Sequence, residues 1–403
     1  MRLAGKQPPA PMQTRPYECR VFRSAEDGFE NVRNTAVLIY WPHGFGDFVF
    51  LSTILPLLEP SNRYFITRFG DHNTAVYEGC AVAVPLYVGH NETRCGDGAD
   101  FGNEHFGLRA GGGSPRTLNL PLGLHAQCVR QGVSAVLDMP FWETYGHAEF
   151  PWQNKARRML RQLVTPARLA AFDLRRPLPS ALSWEVPGHL LAWVEARLRT
   201  WGGFDAGRRL CIIARQGYTS VGKNWGHQWR EDLPPGRQIE GEECRDFMRL
   251  LRRKDDAWFF VTMEEQDFTG ANTVRDAALG CVSWHDIFGT SDGAAVPFGL
   301  VLKALLHFAA LVVGVPAGPY HLAMAKPGLP VIGLWTQHHP AWYDEPKEAS
   351  RHLFSRNLSD SGALDRPGSF SGKGEFIFHT RRLETRIIPG EEVLGTAEEL
   401  LGI

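Results

Sequence analysis

Residues 35–58 read TAVLIYWPHGFGDFVFLSTILPLL, and this stretch decides the fold of the first half of the chain. Residues 35–40 form a continuous apolar run of strand length, which is typical of a buried parallel strand. Pro42 and Gly44 end the run, and a segment of helical length begins at Asp47. The order of strand, glycine loop and helix predicts the first βα unit of a Rossmann-type sheet.

The same alternation continues along the chain. Further strands are predicted at residues 63–68, 82–88, 133–139, 210–214, 258–262, 311–315 and 330–335, and helices at residues 155–176, 190–199, 244–253, 301–310, 319–325 and 389–401. Residues 96–122, which are rich in glycine, are predicted to form a long loop. Together these elements predict an α/β protein of two doubly wound, Rossmann-like domains that face each other across a cleft. The predicted limits are an N-terminal extension at residues 1–34, domains at 35–190 and 191–385, and a closing helix at 386–403.

Composition supports two cores and excludes several classes of protein. A chain of 403 residues exceeds the length that one hydrophobic core usually supports, and 43% hydrophobic residues suffice for packed cores. With 43 basic and 44 acidic residues, the overall charge favours no nucleic acid partner. The seven cysteines form no C-x-x-C pair, so we expect reduced thiols and no metal. Residues 1–19 lack the apolar core of a signal peptide, and no apolar run is long enough to span a bilayer; both favour a cytoplasmic protein.

The segment LVVGVPAGPYHLAMA, residues 311–325, predicts a ligand site in the second half. A buried strand ends at glycine, Gly318 allows close approach of the backbone, and Pro319 is placed at the first helical position. The N–H groups of a helix start would then face the cleft and favour a diphosphate, with His321 adding a hydrogen bond. The alternative is a plain strand-to-helix turn in which His321 caps or packs.

Two further segments carry candidate chemistry. Asp47, in the first turn of its helix, could act as a general base on a hydroxyl, or could instead serve only the helix dipole. The sequence around it is not the full G-x-G-x-x-G fingerprint, because residue 49 is valine, so a dinucleotide cofactor is weakly supported. In the loop after residues 210–214, Arg215 and Lys223 could neutralise a departing nucleoside diphosphate without a metal; alternatively Lys223 is a solvated loop residue.

Taken in order, these segments resemble the heptosyltransferase-like glycosyltransferases of family 9. That family opens with a strand, a loop and Gly-Asp before a helix containing proline, like Gly46, Asp47 and Pro56 here. Its second domain has a loop ending in Lys-x-Trp, like Lys223 to Trp225. Later it has Asp-Thr-Gly-x-x-His-Leu-Ala-Ala, and GPYHLA at residues 318–323 is similar. The resemblance covers roughly residues 35 to 402.

The resemblance implies a GT-B fold and an inverting, metal-independent transfer of a heptose or another hexose-like sugar from a nucleotide-sugar. Asp47 would be the base, and the loop of His43, Gly44 and Gly46 would lie on the acceptor side. The donor-binding residues implied are Arg215, Lys223, Gly318, Pro319, Tyr320, His321 and Trp335, with residues 336–342 near the nucleoside or sugar. No cofactor is implied, because the nucleotide-sugar is a substrate. The acceptor would be the hydroxyl of a glycan, a lipopolysaccharide core or a metabolite, and a glycolipid acceptor would bring peripheral contact with the inner membrane.

One departure from the family pattern leaves other functions open. Pro316 and Ala317 stand where the family has Asp-Thr, so a carboxylate and a hydroxyl that would contact the donor are lost. A hydrogen bond to a charged group contributes about 1.5–3 kcal/mol, so the resemblance does not determine the donor sugar. One alternative is a GT-B nucleotide-sugar epimerase, which would need further carboxylates and histidines around the donor; His43, His227, His285 and His307 are the candidate histidines. The other is a catalytically silent nucleotide-sugar binding protein.

Overall fold

The computed structural model of the chain describes residues 13–40, 45–67, 72–87, 115–138, 160, 163–171, 180–205, 207–214, 241–263, 276–289, 296–335, 349–355 and 388–403. Within these residues the strands are β1 Thr14–Phe22, β2 Ala36–Tyr40, β3 Arg63–Thr67, β4 Ala83–Pro85, β5 Pro115–Pro121, β6 Val133–Asp138, β7 Arg209–Ala214, β8 Trp258–Thr262, β9 Cys281–Ser283, β10 Ala309–Gly314, β11 Val331–Trp335 and β12 Ser350–Phe354. The α-helices are α1 Phe45–Ile54, α2 Leu122–Gln131, α3 Pro166–Leu169, α4 Gly188–Gly202, α5 Gly241–Lys254, α6 Trp284–Phe288, α7 Phe298–Phe308, α8 Gly318–Ala325 and α9 Gly390–Leu401. Short 3₁₀ helices lie at Phe29–Asn31, Leu55–Leu57, His72–Tyr77 and Ala277–Leu279.

The strands form two six-stranded sheets, in the orders β4-β3-β2-β6-β1-β5 and β12-β11-β10-β7-β8-β9. The strand pairs in both sheets are parallel, except that β5 runs antiparallel to β1 at the edge of the first. Every residue of β2, β8 and β11 is buried, as expected for parallel strands covered on both faces. The predicted class of two doubly wound α/β units is confirmed.

The first strand of the N-terminal sheet corrects the prediction of an extension before residue 35. Residues 14–22 form β1, which lies inside the sheet between β6 and β5. Residues 14–16 of β1 are exposed, and exposed Glu18 and Arg20 then alternate with buried Cys19 and Val21. The strand therefore lacks the apolar run that identifies the other strands. Its antiparallel partner β5 lies about a hundred residues away along the chain, inside the stretch predicted as loop.

The chain passes from the N-terminal half to the C-terminal half between residues 181 and 188. Ala181 still belongs to the N-terminal side, because its backbone N–H donates to the Ser52 carbonyl of α1 at 3.1 Å. From residue 188 the chain forms α4, which packs on α7 and α6 of the C-terminal half. At the C-terminus, α9 packs against α5 and β12, and Lys254 pairs with Glu398 at 2.8 Å. The closing helix is therefore part of the second α/β layer, while the exact domain limits remain predictions.

One continuous apolar cluster joins the two halves. It contains Phe48 and Leu51 of α1 together with Val301 and Leu305 of α7, all with at most 2% of their surface exposed. Within the described part of the chain, no helix is long and apolar enough to cross a membrane. This shared core places the starts of α1 and α8 against each other, as described next.

Candidate functional site

The candidate site lies where the two sheets present the carboxyl ends of their strands. In parallel α/β sheets, ligands bind outside these ends, where strands pass into helices. Strand β2 leads to α1 in the N-terminal half, and β10 leads to α8 in the C-terminal half. Helices α1 and α8 contact each other directly, so the two predicted motifs meet at one place.

On the N-terminal side, Asp47 lies in the first turn of α1 and is partly exposed. Gly46, the residue before it, lies against the other half, since a Cβ placed on Gly46 would be 2.6 Å from Cδ2 of His321. A side chain there would force the histidine ring to move, so glycine permits this close approach. His43 and Gly44, predicted to lie in the same loop, fall outside the described residues.

On the C-terminal side, α8 begins at Gly318. Pro319, which the sequence predicts at the first helical position, is its second residue. Proline is tolerated there because first-turn N–H groups have no intrahelical acceptor. Ala317 is the N-cap residue and forms no side-chain cap, in contrast to the threonine of the family pattern. A Cβ placed on Gly318 would be 2.7 Å from Cδ1 of Phe45. The start of α8 is thus covered by the start of α1.

Tyr320 and His321, predicted to bind the donor, have buried side chains with 0% and 3% exposed surface. The His321 ring packs edge to face on Phe50 of α1, with ring centroids 4.8 Å apart. Its backbone N–H donates to the Ala317 carbonyl at 2.9 Å, closing the first turn of α8. His321 therefore joins the two halves, in addition to lying beside the predicted diphosphate position.

Trp335, predicted to lie near the nucleoside or sugar, is also completely buried. Its indole N–H donates to Nδ1 of His352 at 2.7 Å, and its ring lies perpendicular to that of Tyr320 with centroids 6.0 Å apart. In this arrangement Trp335 contacts the helix start through Tyr320, and a direct contact with a ligand would need its side chain to become exposed. His352 was not predicted from the sequence, because a histidine in a short, half-buried strand carries no distinguishing pattern.

An ion pair at the same edge of the N-terminal sheet was also missed. Asp138, the last residue of β6, lies beside Tyr40 at the end of β2 and is completely buried. Nη2 of Arg23, which follows β1, lies 3.2 Å from Oδ2 of Asp138. Because β1 itself was not recognised, its proximity to the end of β6 could not be predicted. The pair lies at the sheet edge from which the chain leads into α1.

A lysine is buried between the N-terminal and C-terminal halves, beside the candidate site. Lys303 of α7 has 1% exposed surface, and its Nζ lies 3.5 Å from the carbonyl oxygen of Glu78 in the N-terminal half. Burial lowers the pKa of Lys303 to about 8, an effect that the nearby Cys80 and Glu78 partly offset. One turn earlier, a Cβ on Gly299 would be 3.0 Å from the backbone nitrogen of Val76. A sequence signal was present, since Lys303 lies between the apolar runs at residues 300–302 and 304–306.

Several predicted site residues are not among those that the structure describes. Arg215, Lys223 and the loop of residues 336–342 lie outside the described residues, as do His43, Gly44 and His227. Of the other histidines named for epimerase chemistry, His285 follows the carboxyl end of β9, whereas His307 is exposed near the amino end of β10. Among the residues that the structure places, no group of three or more His, Cys, Asp or Glu side chains could hold a metal ion.

We expect Gly318→Ala to destabilise the contact between α1 and α8. The added methyl group would overlap the Phe45 ring, and overpacking of this kind costs about 1–3 kcal/mol. The matched control is Gly395→Ala in the exposed middle of α9, where nothing lies within 4 Å of the added atom; it is expected to stabilise by about 0.5–1 kcal/mol. Denaturant unfolding measures both. Equal stability of the two variants would contradict the described contact.

Comparison with known proteins supports the fold. No family model matches the sequence, and no curated protein matches it. Among solved structures, the chain is similar to one described as the glycosyl transferase family 9 from Veillonella parvula DSM 2008, with a TM-score of 0.56 and 11% identity over 92% of this chain and 98% of that one. A putative UDP-N-acetylglucosamine 2-epimerase from Listeria monocytogenes matches with a TM-score of 0.34 and 11% identity, over 92% of this chain and 89% of that one. The first of these similarities, together with the two facing six-stranded sheets, shows that this chain has the GT-B fold.

Proposed function

We propose that this chain is an inverting, metal-independent glycosyltransferase that moves a sugar from a nucleotide-sugar to a hydroxyl group. The observation that carries the proposal is the meeting of two helix starts at the carboxyl ends of the two sheets. One bears Asp47, and the other begins with Gly318 and bears His321. A proton acceptor and a positively polarised helix end are thus on opposite sides of one junction, as sugar transfer from a diphosphate requires.

On the donor side, α8 supplies the electrostatic part of the site. The first-turn N–H groups of a helix attract an anion, and Ala317 provides no side-chain cap that would compete with a diphosphate for them. Because Pro319 has no N–H, Gly318 and Tyr320 are the first-turn residues that carry donors. Arg215 and Lys223 would add positive charge from the loop after β7, which would allow the diphosphate to leave without a metal.

The proposed chemistry is a single displacement. The acceptor oxygen forms a bond to the anomeric carbon on the face opposite the diphosphate, and the bond between that carbon and the diphosphate oxygen breaks. The electron pair of the broken bond leaves with the nucleoside diphosphate, and the hydroxyl proton passes to the Asp47 carboxylate. Attack from the opposite face inverts the anomeric configuration. The helix end at Gly318 stabilises the charge on the leaving group.

Donor binding would require the two helix starts to separate. Phe45 packs on Gly318, and His321 packs on Gly46, so side chains occupy the space in which a diphosphate would contact α8. Domain movement of this kind is common around ligands that bind between two lobes. We infer that the described arrangement is a closed state and that α1 moves away from α8 when the donor enters.

The acceptor and the donor sugar follow from the resemblance to family 9 and from the residues that depart from its pattern. The resemblance to family 9 favours a heptose or a related sugar and an acceptor in a lipopolysaccharide core, another surface glycan or a metabolite. Replacement of Asp-Thr by Pro316 and Ala317 removes two donor contacts, so a sugar other than heptose is compatible with the site. A lipid-linked acceptor would bring a cytoplasmic enzyme to the inner membrane surface.

The test is binding followed by turnover. The full chain is screened by thermal shift against nucleoside diphosphates and nucleotide-sugars, and each ligand that stabilises it is assayed for sugar transfer or hydrolysis with and without a chelator. We expect stabilisation by one nucleotide class and turnover that the chelator leaves unchanged. Stabilisation without turnover would favour the silent binding protein, interconversion of the free nucleotide-sugar would favour the epimerase, and no stabilisation by any ligand would end the proposal.

A further inference from the structure

A row of buried and partly buried rings connects the edge of the C-terminal sheet to the start of α8. It runs from His352 in β12 to Trp335 in β11, then to Tyr320 and His321 in α8, and ends on Phe50 of α1. Successive ring centroids are 5.6, 6.0, 5.3 and 4.8 Å apart. The row therefore reaches from a strand outside the predicted motifs to the place where the two halves meet.

Polar atoms within the row converge above Gly333. A Cβ on Gly333 would be 2.7 Å from Nε1 of Trp335, 2.7 Å from the Tyr320 hydroxyl oxygen and 3.0 Å from Nδ1 of His352. Only glycine leaves room for this arrangement. The side chains of Trp335 in β11, His352 in β12 and Tyr320 in α8 are thus close enough that a shift of one displaces the next.

The hydrogen bond between Trp335 and His352 determines the state of the histidine. An indole nitrogen can only donate, so Nδ1 of His352 must accept and carry no proton. In the neutral ring, the proton is then on Nε2. His352 holds the indole ring of Trp335 in one orientation, and that ring is one wall of the space occupied by Tyr320.

We propose that His352 is a positioning residue for the diphosphate donor, acting through Trp335 on Tyr320 and His321 at the start of α8. This inference rests on the proposed function, since it takes the ligand of α8 to be a nucleoside diphosphate. The side chains of Tyr320 and His321 are buried, so their positions depend on the rings packed around them. Loss of the acceptor on His352 allows Trp335 to reorient, which moves the residues that bind the diphosphate.

The experiment compares two replacements of His352 in the full chain. His352→Phe keeps a ring but removes the acceptor, whereas His352→Asn places an amide oxygen where Nδ1 lies and restores it. His189→Phe, at an exposed position at the start of α4, is the matched control. Calorimetry measures the Kd for ADP, GDP, UDP, CDP and dTDP. Fluorine NMR of 3-fluorotyrosine-labelled protein follows Tyr320, whose signal is assigned with Tyr320→Phe.

For the nucleotide that binds the wild type, we expect His352→Phe to raise the Kd about tenfold, the factor that corresponds to one interior hydrogen bond. The Tyr320 signal is expected to shift in the ligand-free protein. His352→Asn should return the Kd to within about twofold of the wild type and restore the signal, and His189→Phe should change neither.

The outcomes separate the two proposals. An unchanged Tyr320 signal in His352→Phe, or a shifted signal with an unchanged Kd, would overturn the positioning role while the proposed function stands. The same is true if His352→Asn fails to restore binding, because a merely structural loss would not depend on the acceptor atom. If no nucleoside diphosphate binds the wild type, the proposed function fails and the positioning role fails with it.

Discussion

Replacing Asp47 by asparagine is expected to lower kcat for sugar transfer about 10²- to 10⁴-fold, the range that general base catalysis usually contributes. The amide has nearly the same shape but cannot take the proton of the acceptor hydroxyl. The Kd for the nucleotide donor, measured by calorimetry, is expected to stay within about twofold, because Asp47 lies on the opposite side of the junction from α8.

The control addresses the alternative that Asp47 serves only the dipole of α1. Glu392→Gln removes an exposed first-turn acid from α9, and Asp47→Asn removes a partly exposed one from α1. Both lose a dipole interaction of about 0.3–1 kcal/mol, which unfolding experiments detect. Turnover should fall in Asp47→Asn alone. Equal turnover in the two variants would leave Asp47 with a structural role and remove the proposed base.

Lys303→Met is expected to stabilise the protein by about 1–3 kcal/mol at pH 7. The lowering of the lysine pKa from 10.5 to about 8 corresponds to about 3 kcal/mol of unfavourable burial of the charged form. Methionine is similar in length, carries no charge and fits the apolar surroundings of α7. Loss of the contact between Nζ and the Glu78 carbonyl offsets part of the gain.

The same substitution predicts a pH dependence with a definite sign. Because the pKa of Lys303 is lower in the folded chain than in the unfolded one, the unfolded chain binds more protons between pH 8 and 10.5. The free-energy cost of burying the charged form of Lys303 is therefore fully present below pH 8 and disappears as the pH rises towards 10.5. The advantage of Lys303→Met should be greatest at pH 7 and shrink over this range, as denaturant unfolding at several pH values would measure.

Lys254→Met is the control for removing a lysine, because Lys254 is largely exposed and pairs with Glu398 at the surface. It is expected to change stability by less than about 1 kcal/mol, with no added pH dependence above pH 8. If Lys303→Met were instead destabilising at pH 7, the contacts of the ammonium group would have to stabilise the folded chain by more than the free energy lost on removing its charge from water. That result would contradict the described position of the side chain.

The elements that were predicted correctly share a strong local signal. Residues 258–262 form a strand with the predicted limits, because four buried apolar residues followed by a buried threonine match a parallel strand covered on both faces. The prediction for α8 was also close, since Gly318 and Pro319 mark a helix start through their own backbone chemistry. In contrast, β1 and β5 pair with each other at an edge of the sheet. Their mixed polar and apolar residues match a half-exposed strand pair, which cannot be recognised from either segment alone.

In the candidate site, too, some features have a local sequence signal and others depend on tertiary packing. Gly46, Asp47, Gly318 and His321 could be named in advance because the turns that hold them have recognisable sequences, and the structure brings these turns together. The burial of Trp335 could not be predicted from the sequence around it. It depends on the place of β11 in the sheet and on the Tyr320 ring, and both are determined by residues elsewhere in the chain. His352 contributes to this packing from β12, which follows β11 in space as well as in sequence.

The sequence by itself determined the two α/β halves and the helix starts that carry Asp47 and His321, because strand burial and helix initiation depend on neighbouring residues. Only the tertiary structure decided that α1 closes over α8, that Lys303 is buried between the halves and that His352 supports Trp335. These features arise where residues far apart in the chain pack together, and their energies depend on distance, burial and orientation, which local sequence patterns do not encode.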